Sequence, residues 1–274
     1  MIQSVCQAME KERKKGGALV CFESFSMEQI AWTLETAAEA RRPVGLMLAS
    51  DMTFFTGPRT YMAMARALAE ETEAPVSFVF SGCRRLTEAE AALRAGFPAI
   101  VFTPEGRPWD VTLTELRDFT ARAHDSHADV TGIIDGDMTP EQAAELAGVT
   151  GVDALQVAAM VEDPGNSHKF NSTCHWYPEN RAWLDLDRLE KAHRLTGLPL
   201  SLNGCHNVDA AEFRRAAALG VARVDDGCPS DTAYALALRE YLGGFPGTPS
   251  YFGACISIRE TVKAYLRQRI EMLS

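Results

Sequence analysis

Short, unbroken apolar runs alternate along the chain with longer stretches of helical periodicity. The runs fall at 18–22, 44–49, 76–80, 99–102, 130–134, 154–158, 198–202 and 221–224. Continuous apolar runs of this length predict parallel strands covered on both faces. The helical stretches fall at 27–40, 60–71, 87–95, 112–126, 140–147, 184–195, 210–219 and 230–242. Ser26 with Gln29 three positions later has the form of a capping box. Thr87-Glu88-Ala89-Glu90 and Thr139-Pro140-Glu141-Gln142 place a cap residue ahead of acidic first-turn residues, and Gly96, Gly148 and Gly220 mark helix ends.

Eight strand–helix pairs in strict alternation imply parallel βαβ units and suggest a closed (β/α)8 TIM barrel. An open doubly wound sheet is the rival, because counting units does not show closure. The segment 4–15 reads as an extra N-terminal helix capping the barrel bottom, and 257–273 as an extra C-terminal helix. With no linker rich in Gly or Ser, residues 1–274 read as a single domain. One connection, 159–183, lacks periodicity. It follows the sixth strand, on the face where barrel enzymes keep their chemistry.

Charge narrows the function classes. Lys plus Arg number 27 and Asp plus Glu 37, a net charge of −10. Such a chain offers no electrostatic footprint for nucleic acid or anionic lipid. No apolar stretch approaches the roughly 20 residues of a membrane span, and residues 1–17 lack the apolar region of a signal peptide. Seven cysteines in no framework spacing point to reduced thiols and a cytoplasmic protein. The partner expected on this basis is a small-molecule substrate.

The segment from Phe22-Glu23-Ser24-Phe25-Ser26-Met27-Glu28-Gln29-Ile30 to Arg42-Pro43-Val44 resembles the opening of class II fructose- and tagatose-bisphosphate aldolases. Ala74-Pro75-Val76, Ala95-Gly96-Phe97, Thr150-Gly151-Val152-Asp153-Ala154-Leu155-Gln156-Val157-Ala158, Thr196-Gly197-Leu198-Pro199-Leu200 and Arg269-Ile270-Glu271 continue it in the same order. The resemblance runs over nearly the whole chain and is carried by order and spacing. It implies a (β/α)8 barrel, a homodimer or larger homo-oligomer, and zinc-dependent cleavage of a ketose phosphate to dihydroxyacetone phosphate and an aldehyde.

The chemistry-bearing motifs depart from that pattern. The family's catalytic Asp and first zinc His pair with Ser81 and Gly82, its second zinc His with Gly165, and its third with Asn203 in Asn203-Gly204-Cys205-His206-Asn207. Its phosphate turn after the last strand is replaced by Asp225-Asp226-Gly227-Cys228-Pro229-Ser230. Catalytic zinc needs three protein ligands and one open position. On this pairing Gly82, Gly165 and Asn203 supply no imidazole, and His168 could replace the second only if the backbone shifts, so no metal is expected at the family's zinc positions.

Three readings of the mouth follow. Glu23, Asp51, Asp135, Asp137, Asp225 and Asp226 all follow strand ends, so a barrel would gather a carboxylate rim. Such a rim would repel a bisphosphate. It could hold a hard divalent cation, or bind a polyol or cationic substrate; the bland alternative is helix capping and loop solvation. Cys21, Cys83, Cys205 and Cys228 lie at or after strands and could form a reactive or soft-metal site, against the alternative of small buried thiols. Lys169, at the predicted mouth, could form a Schiff base or contact a substrate anion. His168, His175 and His206 fall on loops of the active face, whereas His124, His127 and His193 fall on or beside helices.

The expected catalytic residues are therefore His206, Asp225 and Lys169. Glu23, Ser50, Ser81, His168, Asn203, Gly204, Asp226 and Ser230 are expected to bind substrate. The expected activity is carbon–carbon bond cleavage on a small carbonyl or sugar-like compound by a route changed from the zinc mechanism. The other class is a catalytically silent relative that binds a ligand or partner.

Overall fold

The computed structural model describes residues 2–162, 182–204, 208–244 and 247–273. After α1 (Val5–Lys14) the chain runs β1 (Leu19–Glu23), α2 (Met27–Ala40), β2 (Val44–Ala49), α3 (Pro58–Glu70), β3 (Val76–Cys83), α4 (Leu86–Arg94) and β4 (Ala99–Phe102). It continues through α5 (Trp109–Asp125), β5 (Asp129–Ile134), α6 (Pro140–Thr150) and β6 (Ala154–Val157) to a short antiparallel pair, β7 (Met160–Glu162) and β8 (Ala182–Leu184). The last part is α7 (Leu186–Thr196), β9 (Leu200–Asn203), α8 (Ala210–Ala218), β10 (Val221–Asp226), α9 (Cys228–Gly244) and α10 (Tyr251–Met272).

Eight strands close a parallel barrel in the order β1-β10-β9-β6-β5-β4-β3-β2, so the fold is a (β/α)8 TIM barrel. The last strand meets the first in the register Cys21↔Asp225 and Phe22↔Asp226, which excludes the open-sheet rival.

Side chains alternate across each strand. One set, including Phe22, Leu46, Phe78 and Phe102, packs against the helices. The other fills the barrel. Leu19, Met47, Val101 and Ala154 form one cluster with Val5, Ala8 and Met9 of α1, so the N-terminal helix plugs the barrel. Each fully buried side chain of this size contributes roughly 1.5–3 kcal/mol. Space inside is short: a Cβ at Gly45 would lie 2.2 Å from the Cys21 sulfur on the adjacent strand, so only glycine fits there.

The interior also carries charge. Arg223 is fully buried (0 % exposed), and its side chain donates to Ser201 (3.2 Å) on β9 and Asp225 (3.1 Å) on its own strand, with a longer contact to Thr131 (3.4 Å) on β5. Its Nε lies 3.0 Å from the other Asp225 oxygen. Arg223 and Asp225 share a face because they are two residues apart on a strand.

Several element boundaries differ from the sequence expectation. Thr87, expected as a cap, lies inside α4, which starts at Leu86 with Arg85 at its N-cap. α6 passes through Gly148 and stops at Gly151, whose φ of 69° supplies the left-handed turn that ends a helix. α10 starts at Tyr251 rather than 257, because the Ser250 hydroxyl accepts from Gly253 N and caps it. The long connection after β6 opens and closes with the β7–β8 pair, and its residues 163–181 lie outside the described residues. Among the described residues no helix is long and apolar enough to cross a membrane.

Candidate active site at the barrel mouth

The C-terminal ends of the strands surround a cavity of about 530 Å³. β1 supplies Glu23, β2 and the turn after it Met47, Ala49, Ser50, Asp51 and Met52, and β3 Ser81 and Gly82. Ala158 and Met160 come from the β6–β7 passage, Asn203 and Gly204 from β9, and Gly227 from the residue after β10. The parallel arrangement puts every strand's C-terminal end on one face, which is why residues so distant in sequence meet here. The Ser50 hydroxyl donates to Gly82 O (2.8 Å), tying the tops of β2 and β3 together.

Glu23 is the distinctive group. Leu19, Cys21 and Glu23 share the inward face of β1, so the carboxyl caps the column that Cys21 begins. Burial in the barrel throat, then repulsion from Asp51, Asp231, Asp225 and Asp226, push its pKa up to about 8. Among the described residues its carboxyl has neither hydrogen-bond nor ion-pair partner. Gly227 makes room for it: a Cβ there would lie 2.7 Å from Glu23 Oε2. Gly227→Ala is therefore expected to displace the carboxyl from the throat and impair ligand binding with little change in fold. Calorimetric binding and near-UV circular dichroism on the same sample check it; unchanged affinity would mean that the carboxyl's position does not matter.

The carboxylate rim expected from the sequence is dispersed. Asp225 lies beneath the cavity rather than in it, 1 % exposed and paired with Arg223. Burial pushes its carboxyl up against the opposing pull of Arg223. Asp226 faces the helix layer, because adjacent strand residues point to opposite sides. It accepts from Arg269 Nε (2.5 Å) and Tyr265 Oη (3.3 Å) on α10. The buried Ser230 hydroxyl donates to Gly227 O (2.8 Å) inside the first turn of α9. Asp135 is spent on Arg84 (2.6 Å). Asp225 is thus placed away from the catalytic role expected of it, and Asp226 and Ser230 away from substrate, whereas Glu23, Ser50, Ser81, Asn203 and Gly204 converge on one cavity.

Lys169, His168, His206 and Gly165 lie outside the described residues. So does Cys205, while Cys21 and Cys83 are fully buried and their thiols are pushed up mainly by burial, which leaves them protonated and inert. His124 pairs with Asp153 (2.9 Å) and His193 with Leu198 O (2.8 Å), both away from the mouth.

Zinc fits the described residues poorly. Gly82 and Asn203, paired by resemblance with two of its ligands, bring no imidazole to the cavity, and no group of three His, Cys, Asp or Glu side chains among the described residues converges to hold a metal ion. The same observation leaves the expected carboxylate-held divalent cation without a site among the described residues.

Two features are not announced by a motif. Met47 and Met160 wall the cavity. Arg223 pairs with Asp225, and the only sign of this in sequence is their period-two spacing in Val221-Ala222-Arg223-Val224-Asp225, which puts both on one strand face.

Comparison with known proteins agrees with this geometry. The fold matches the YdjI aldolase from Escherichia coli K12 with a TM-score of 0.84 at 19% identity, covering 100% of this chain and 98% of that one. It matches the fructose-bisphosphate aldolase of Campylobacter jejuni with a TM-score of 0.80 at 15% identity, covering 99% and 95%. Identities this low establish the shared fold. The sequence profile of class II fructose-bisphosphate aldolases matches residues 3–274, and the chain therefore belongs to the class II fructose-bisphosphate aldolase family.

Proposed function

We propose that the protein is a carbon–carbon lyase that cleaves a small β-hydroxy carbonyl compound at the barrel mouth, with Glu23 as the group that moves the proton. The observation that carries this reading is the Glu23 carboxyl in the throat, without a partner among the described residues and with a pKa raised to about 8. General acid–base catalysis is most efficient when the group's pKa lies near the working pH.

In aldol cleavage a base takes the proton of the β-hydroxyl. The oxygen's electrons form the aldehyde as the carbon–carbon bond breaks, and the released pair passes to the other fragment as an enolate. Ionised Glu23 takes that proton, and the resulting acid returns it to the enolate carbon. Ser81 and Asn203 line the same cavity and offer neutral donors to the substrate carbonyl oxygen. The family's three-imidazole zinc site has no part in this route. Family membership supports an aldolase-type enzyme; the substrate and route are this proposal's own.

The test is to incubate the purified protein with a panel of ketoses and phosphorylated ketoses and to follow aldehyde release by hydrazine trapping. Cleavage of at least one compound, with no borohydride-trappable adduct, is the expected result. No cleavage of any compound, with or without added divalent metal, would leave the silent ligand-binding relative as the better reading. That alternative rests on the poor match between the described residues and zinc.

A further inference from the structure

We propose that the mouth cavity receives an unphosphorylated, polyhydroxylated carbonyl compound, with Glu23 and Asp51 as the side chains that decide against phosphate. This rests on the lyase reading for the identity of the site but concerns only what the site admits.

Charge balance in the cavity points this way. Glu23 and Asp51 are its carboxyl groups, and neither has a hydrogen-bond or ion-pair partner among the described residues. The described lining residues include no lysine or arginine. Among the described residues, Arg84 and Arg85 line the adjoining recess beyond Ser50 and Gly82, and both are already engaged. Arg84 makes a two-pronged contact with Asp135 (2.9 and 2.6 Å), and the exposed Arg85 donates through Nε (2.8 Å) and Nη2 to Glu88 Oε1. Each charge is thus already offset by a neighbouring carboxylate.

The start of α9 is closed to an anion as well. A helix N-terminus ordinarily attracts phosphate through its free N–H groups. Here the chain's own Glu23 carboxyl lies against Gly227, the residue immediately before α9. Asp231 adds a carboxyl to the first turn, Pro229 supplies no N–H, and the Ser230 and Asp231 N–H groups are turned back onto Gly227 O. A dianionic phosphate would enter against the Asp51 and Asp231 carboxyl groups, joined by Glu23 once it ionises, with no lysine or arginine among the described lining residues to offset them. A hydroxyl group meets no such barrier. A protonated Glu23 offers one donor and acceptors, and Asp51 offers acceptors, a set that matches adjacent hydroxyls. The apolar walls of Met47, Ala49 and Met160 suit a carbon chain.

The experiment is a thermal-shift and calorimetric comparison of D-fructose, D-tagatose and dihydroxyacetone with their phosphate esters, and with inorganic phosphate, at low ionic strength. At least one free compound is expected to stabilise the protein, and its ester to bind about tenfold or more weakly. In a Glu23→Gln/Asp51→Asn double variant the gap between the two should close. An ester that binds more tightly than its parent overturns the proposal, as does a protein that responds to none of the free compounds. Stabilisation by an amino sugar beyond that by its neutral parent overturns it in favour of a cationic ligand. The readout is binding alone, so binding without cleavage defeats the lyase reading and leaves this one intact. Cleavage restricted to phosphate esters does the reverse.

Discussion

Glu23→Gln is expected to lower cleavage by about 10²–10⁴-fold, the usual contribution of a general acid–base group, and to raise the melting temperature at alkaline pH. Both effects have one cause. The folded protein holds the Glu23 proton up to about pH 8, whereas the unfolded chain releases it near the ordinary value of 4.5. Between these limits the native state binds more protons than the unfolded state, so stability falls as pH rises from about 4.5 to about 8 and levels off above. The acidic groups whose charge reaches the carboxyl are Asp51 after β2, Asp231 on α9, and Asp225 and Asp226 on β10, and all of them act in the same direction.

Glutamine carries no charge to bury, so the variant escapes this loss. Because water reaches the mouth, the gain is on the order of 2 kcal/mol, or roughly 4–8 °C for a chain of this size. Melting curves at pH 4 and pH 9 check it, with coincidence expected at pH 4 and separation at pH 9. In the parent, the pH profile of kcat/KM should rise to a plateau above about pH 8, as the carboxyl ionises to become the base, and this limb should vanish in Glu23→Gln. A variant that keeps both full activity and the parental pH dependence would remove Glu23 from the mechanism.

Severing the Arg223–Asp225 pair should be the most destabilising change in the barrel interior. Both side chains are fully buried. Their mutual attraction does little more than offset the cost of removing two charges from water, but removal of one partner strands the other. Arg223→Met or Asp225→Asn alone should each cost about 3–5 kcal/mol, while the double replacement should recover most of that loss. Urea midpoints of the four proteins give the coupling energy directly. The experiment also separates two roles for Asp225. A positioned structural charge predicts loss of stability that Arg223→Met reverses. If Asp225→Asn instead kept the parental midpoint and lost cleavage, the expectation from sequence that Asp225 is catalytic would be restored.

The frame was legible in the sequence because strands covered on both faces and amphipathic helices write different periods into the chain. All eight apolar runs became barrel strands, the Ser26 capping box formed as read, and Thr139 caps α6 with Gln142 completing a box. Helix ends were less legible: Gly148 and Gly151 lie three residues apart, and it is Gly151 that takes the left-handed turn and ends α6.

The sequence by itself determined the alternation of strands and helices, the acidic balance and the lack of an imidazole at Gly82 and Asn203, because each of these is a property of neighbouring residues. Only the tertiary structure decided which carboxyl groups meet. Asp225 and Asp226 are adjacent in the chain, yet the pleat sends one to Arg223 inside the barrel and the other to Arg269 outside it. Glu23 and Gly227 are two hundred and four positions apart and touch, because closure of β1 onto β10 places the ends of those strands side by side.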